Sequence, residues 1–223
     1  FGPFWSLTRY ADILEVDKNW KDFSSEPAIT IVDPEEDFPL PMFIAMDPPK
    51  HDEQRKTVQG AVAPVNLKAL ESTIRLRTQN VLSDLPVDED FDWVDRVSIE
   101  LTTQMLATLF DFPFEDRRKL TRWSDVATGG PETGVVESDE QRQEELLECL
   151  EYFTRLWQER AKKGGSNDFI SMLVHGEATK DMSPEEYLGN LILLIVGGND
   201  TTRNSMTSGV IALNDNPGEY AKL

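Results

Sequence analysis

Two short stretches hold the residue types that could do chemistry. In "LLIVGGNDTTRN", residues 193–204, an apolar run breaks into Gly197 and Gly198, then Asn199, Asp200, Thr201, Thr202 and Arg203. A glycine pair leaves room for a bulky group to lie flat against the backbone. An acid and an alcohol beside that gap suit proton delivery. In "PPKHDEQRK" the pair is His51 and Arg55, four residues apart and so on one face of a helix. A guanidinium fork and an imidazole on one face can meet the same anion, a carboxylate above all. A solvated helix face explains that pair as well, and Asp52 and Glu53 beside it favour that plainer explanation.

The glycine stretch reads two ways from spacing alone. A helix could end at Val196 with Gly197 as its C-terminal glycine, and a second could start, capped by Asp200 or Thr201. In the other reading one helix runs through, at about 1 kcal/mol per interior glycine, bent where threonine hydroxyls turn back onto carbonyls one turn earlier.

The elements that must position these residues are almost all helical. Ser183-Pro184-Glu185-Glu186 combines an N-cap, a first-turn proline and a capping-box glutamate. The helical pattern then runs to Leu213, a rod of about 45 Å. Asp47 can cap the His51 segment. "NLKALESTIRLRTQNVLSDL" repeats Leu67, Leu70, Ile74, Val81 and Leu85 at helical spacing, and "VDRVSIELTTQMLATLFDF" is a second such segment, stopped by Pro113. "FEDRRKLTRWSDVA", the long "SDEQRQEELLECLEYFTRLWQERAKK" and the short "NDFISMLVHG" follow. Near the N-terminus "FWSLT" alternates like a short strand and "RYADILEVD" like a short amphipathic helix. Between 26 and 49 a density of prolines, Pro34 among them, blocks regular structure and predicts a long loop of the kind that often carries function. The class is mainly α, with minor β near the N-terminus.

Composition bounds the rest. A chain of 223 residues with net charge −19 is one domain or part of one, and its field would repel nucleic acid or an anionic membrane. One cysteine excludes a disulfide framework and suits a reducing cytoplasm. Cys149 sits between leucines inside a helix and reads as a packed thiol. His51 and His175 are the only histidines, too few for an all-protein metal site, and they lack the carboxylate spacing of a non-heme iron centre. No apolar run is long enough to span a bilayer. The chain opens without a methionine and reads as a fragment. Lys50, Arg55, Lys56 and Lys68 form the basic concentration of an acidic chain, either a docking patch or a solvated face.

Taken together, the two stretches resemble the cytochrome P450 heme-thiolate monooxygenases of soluble bacterial type. Gly197, Gly198, Asn199, Asp200, Thr201 and Thr202 match every position of the family's [Ala/Gly]-Gly-x-[Asp/Glu]-Thr-[Thr/Ser] pattern, and His51 and Arg55 match its His-x-x-x-Arg pair. "MFIAMDPPKHDEQRKTVQG" and "LLIVGGNDTTRNSM" look most like the alkane terminal hydroxylases. The resemblance implies the N-terminal part of that fold as a single partial domain over 1–223, with one long central helix at about 184–213 crossing the distal face of the heme. It implies heme b, O2 as co-substrate, and electrons from NAD(P)H through ferredoxin reductase and ferredoxin. His51 and Arg55 would bind the heme propionates, Gly197 and Gly198 would open the groove, and Asp200 and Thr201 would handle protons. Phe43, Ile44, Leu193 and Val196 would line an apolar substrate pocket. The family's Glu-x-x-Arg pair and thiolate cysteine lie later in the chain, so no metal ligand is expected before Leu223. Glu115 and Arg118 have the former spacing but fall too early, and Cys149 lacks the phenylalanine and glycine context of the latter. The alternative is a non-enzymatic helical binding domain in which the glycines form a helix-crossing notch.

Overall fold

The computed structural model describes residues 2–31 and 38–222, so Pro34 of the expected loop lies outside the described residues. Among the described residues there is no strand, and the architecture is helical throughout. "FWSLT" has no regular structure, because an isolated strand leaves its backbone groups unpaired and nothing beside it supplies a ladder.

The first helix, α1 (Tyr10–Lys18), forms as expected but buries none of its residues. A tight 3-10 turn at Phe43–Ala45 tucks Phe43 and Ala45 inside and leads to α2 (Lys50–Gln59). Pro49, not Asp47, takes the capping position of α2. The Asp47 backbone carbonyl accepts from His51 N–H, while its side chain turns away to accept from the Ser25 N–H at 3.0 Å.

Pro64 opens α3 (Pro64–Ser83) from the first-turn position it tolerates best. Of the apolar stripe predicted there only Val81 is buried, while Leu67 and Ile74 stay exposed. The next segment is not one α-helix. Val94–Ile99 winds as a π-helical turn and continues into α4 (Glu100–Phe110). Asp111 ends α4 in the left-handed region at φ 46°, and Arg160 donates to both its backbone carbonyl and its carboxylate.

Beyond Pro113 come α5 (Arg118–Thr128), α6 (Asp139–Arg160) and α7 (Phe169–His175). Local side chains start the last two: Ser138 accepts from the Gln141 N–H and Asp168 from the Ser171 N–H. The core lies among α4 to α7, where Phe110, Phe112, Trp123, Tyr152 and Phe153 make edge and stacked ring contacts. Cys149 is fully buried there, and burial pushes its thiol well above the usual value, so it is the packed thiol expected.

Through the middle runs α8 (Pro184–Asp215), 32 residues without interruption, followed by a single turn, α9 (Pro217–Tyr220). Ser183 caps α8 by accepting from the Glu186 N–H at 3.2 Å, as its sequence signature requires. At about 1.5 Å per residue α8 is a rod of about 48 Å. Gly197 and Gly198 are therefore interior to one helix, and the two-helix reading is excluded.

Candidate active site

The two glycines face different surroundings. A Cβ added to Gly197 would meet nothing within 4 Å, whereas one added to Gly198 would come within 2.7 Å of Leu106 Cδ2. Gly198 thus admits α4 to close contact, whereas Gly197 beside it leaves an open face on α8, as Gly209 does further on. One turn on, Thr201 is exposed and donates its hydroxyl to the Gly197 carbonyl at 2.9 Å. Ser205 repeats that back-bond onto Thr201, and Thr207 onto Arg203. These hydroxyls load the carbonyl side of α8 as bending motifs do.

Asp200 does not bond Thr201. Its Oδ1 accepts from Arg203 Nη2 at 2.6 Å, and the same nitrogen donates to Asp125 Oδ1 of α5 at 2.9 Å. Burial opposes the charge on Arg203, but the hydrogen bonds to Asp125 and Asp200 outweigh it and hold the guanidinium above its usual value. Asn199 is fully buried, and neither end of its amide has a partner among the described residues.

On α2, His51 Nδ1 donates to the Phe43 carbonyl at 2.8 Å, and its ring stands edge-on to the Phe43 ring at 6.2 Å. A carbonyl can only accept, so the proton is on Nδ1 and Nε2 is the nitrogen left for an outside partner. Arg55, one turn later, is exposed and makes no hydrogen bond or ion pair among the described residues. Phe43 is buried, Ile44 is 42% exposed, and Leu193 and Val196 are half-buried against the core. Among the described residues, no hydrogen bond joins His51 or Arg55 to the 197–203 stretch.

Three contributors escaped sequence reasoning. Asn190 and Gln54 are buried amides that tie α8 to α2 and the Phe43 turn, and Asp125 reaches Arg203 from 78 positions away. An asparagine inside "YLGNLILL" was the available signal, since a polar side chain in an apolar run must find partners. Asp125 gave none. A cleft of about 310 Å³ lies on another face of α8, between Leu106, Gly198, Thr202, Met206 and Ile74, and the predicted lining residues take no part in it.

No group of three His, Cys, Asp or Glu side chains capable of holding a metal occurs among the described residues. No helix among them is long and apolar enough to cross a membrane. No protein-family model matches the chain.

Individual proteins do match. The chain is 31% identical over 97% of its length to a steroid C26-monooxygenase of Mycolicibacterium smegmatis, covering 52% of that protein. It is 29% identical over 96% of its length to a methyl-branched lipid omega-hydroxylase of Mycobacterium tuberculosis, covering 51% of it. Its fold superposes on cytochrome P450-153 from Novosphingobium aromaticivorans with a TM-score of 0.87 and 45% identity, over 99% of this chain and 56% of that one. Across nearly its whole length the chain is thus homologous to cytochrome P450 monooxygenases, and it spans about half the length of the curated relatives it matches.

Proposed function

We propose that the chain supplies the distal half of a heme-dependent monooxygenase that inserts one oxygen atom from O2 into an unactivated C–H bond of an apolar substrate. The observation that carries the reading is α8 itself: unbroken, with an open face at Gly197 and the Thr201 hydroxyl one turn away. Residues 1–223 act as one partial domain.

The residues present fit heme b. Gly197 leaves its face of α8 without side-chain bulk, Arg55 has no competing partner among the described residues, and His51 keeps Nε2 free. Arg55 would hold a propionate carboxylate through its guanidinium, and His51 would donate to the other through Nε2–H of a doubly protonated ring, in charge-assisted hydrogen bonds. Heme held by a thiolate would supply O2 activation. The protein's own task is then to deliver protons while excluding bulk water. Thr201 presents its hydroxyl beside the gap. Asp200 Oδ1 is committed to Arg203, which leaves Oδ2 to take up and pass on a proton.

Phe43, Ile44, Leu193 and Val196 offer an apolar lining, which suits an alkyl chain whose burial contributes about 0.8 kcal/mol per CH₂. Medium-chain alkanes or fatty acids, hydroxylated at the terminal carbon, fit that lining. Support comes from relatives named for oxidising a steroid at C26 and methyl-branched lipids at the omega position. Electrons would come from NAD(P)H through ferredoxin reductase and ferredoxin in the cytoplasm. Lys56 is exposed on α2 for docking, while Lys50 is engaged with Glu186 at 2.8 Å.

A helix-crossing notch accounts for Gly198, which α4 approaches, but leaves Gly197 unexplained. The complete enzyme carrying Thr201→Ala should still consume NAD(P)H while product falls and peroxide rises. Product and cofactor oxidation remaining matched in that variant would remove Thr201 from the proton path.

A further inference from the structure

Asn190 is fully buried on α8, two helical turns before Gly197, and its amide reaches toward α2 as well as touching Met182 sulfur at 3.1 Å. Its Oδ1 accepts from the Phe43 N–H at 2.8 Å, and its Nδ2 donates to Gln54 Oε1 at 3.0 Å. Gln54 in turn donates Nε2 to Glu186 Oε1, which also pairs with Lys50. The amide orientations along this chain are fixed by its ends. A backbone N–H can only donate and a carboxylate can only accept, so neither Asn190 nor Gln54 can be flipped without setting like against like.

The Phe43 peptide occupies the centre of the arrangement. Its N–H is held by Asn190 of α8 and its C=O is held by His51 of α2. Gln54 is one turn from His51 on the same helix, so Asn190 reaches the His51 face by two routes. The adjoining residue, Gly189, lets the backbone approach: a Cβ there would lie 2.1 Å from the Pro41 carbonyl oxygen. The Pro41–Phe43 turn is thus pressed onto α8 and bolted to it by one side chain.

We propose that Asn190 is a positioning residue for the carboxylate-binding pair, setting His51 through the Phe43 peptide and Gln54. This rests on the reading of His51 and Arg55 as propionate ligands. Asn190 itself touches neither cofactor nor substrate. It fixes the depth and rotation of α2 against α8, so that the face holding one end of the cofactor and the open face at Gly197 keep one relative placement. Outer partners that orient a metal-ligating histidine are worth roughly 10- to 100-fold in metal affinity, and an effect at the low end of that range is expected for a histidine holding a carboxylate.

The test uses the complete, heme-loaded protein with His51→Ala, Asn190→Leu and the double variant, following heme transfer to an excess of apomyoglobin and the propionate bending band in resonance Raman spectra. Each single variant should speed heme loss about tenfold. The double variant should be no faster than the quicker single one within about twofold, the signature of action through a shared group. The Raman band should shift in the same direction in all three. Independent, multiplying effects, or an unchanged band with Asn190→Leu, would overturn the inference. An unaltered rate with His51→Ala would instead overturn the propionate reading beneath it. Should Asn190→Leu fail to fold, Gln54→Met removes one of the two routes at similar volume, and its heme loss must rise while staying non-additive with His51→Ala.

Discussion

Asn190 and Asn199 lie nine positions apart on α8, and both are fully buried. The first has every amide contact satisfied, by a backbone N–H, Gln54 and Met182 sulfur. The second has none among the described residues. The glycines repeat the contrast: Gly189 is pressed against the Pro41 backbone, and Gly197 faces nothing within 4 Å. Further on, Val210 and Ile211 are exposed apolar residues on the same helix. The helix therefore has a finished half, locked by contacts within this chain, and an open half beginning near the glycine pair. Burial alone does not separate the two halves. The satisfaction of buried polar groups does, because a completed interior pairs them.

The largest test of the contrast exchanges its glycines. Gly189→Ala must push α8 off the Pro41 carbonyl, an overpacking of backbone against backbone that should cost about 3 kcal/mol. Gly197→Ala in the cofactor-free protein should instead stabilise by up to about 1 kcal/mol, the helix propensity gained without a clash. Denaturant midpoints of the two variants check both signs, and a destabilised Gly197→Ala would break the open-face description. Next in size come the asparagines. Asn190→Leu strands the Phe43 N–H and the Gln54 carbonyl, an expected loss of about 1–3 kcal/mol. Asn199→Leu removes a buried amide that has no partner among the described residues and strands no bonded group, so it should cost less than Asn190→Leu in thermal unfolding.

The smallest effect tests whether the packed side of the molecule carries the acid sensitivity. The bond from Arg122 holds the Glu145 carboxyl below its ordinary value of 4.5, with burial working the other way. A carboxyl depressed on folding stabilises above its unfolded pKa, and that contribution fades as pH falls through the lower folded value. Glu145→Gln should therefore flatten the acid limb of stability against pH, by less than about 1 kcal/mol because Arg122 is well exposed. An unchanged limb would mean that the pair contributes nothing there.

What the sequence made legible was whatever depends on near neighbours along the chain. The start of α8 could be read outright, since Ser183, Pro184 and Glu186 act within one turn. The continuity of α8 could not, because Gly197 is compatible with a C-terminal cap and with an interior site, and packing along the whole rod decides between them. Asp200 and Arg203 are near enough in sequence to suggest their pair, whereas Asp125, which anchors it, comes from another helix. Asp47 was misread as a cap because its competing partner, Ser25, is 22 positions away. The stripe on α3 marked a helix correctly but not a buried face, since periodicity reports which side is apolar and not whether anything covers it. The polar assignments at His51, Arg55 and Thr201 rest on spacing and resemblance, and the described geometry leaves each of them open to an outside partner.

The π-helical turn at Val94–Ile99 bears on how such a chain tolerates changes of length. It is the one π segment among the described residues, and there the backbone carries one residue more per turn than an α-helix requires. An extra residue in a helix rotates everything on one side of it by about 100° relative to the other. The turn absorbs that rotation in place, ahead of the buried run Thr102, Thr103, Leu106, Ala107 and Phe110. Ser98, within the turn, meets Thr207 on the open half of α8 at 2.9 Å. Loss of one residue between 94 and 99 should therefore return the turn to ordinary α-helix and keep the phase of that buried run, at the cost of the Ser98–Thr207 contact.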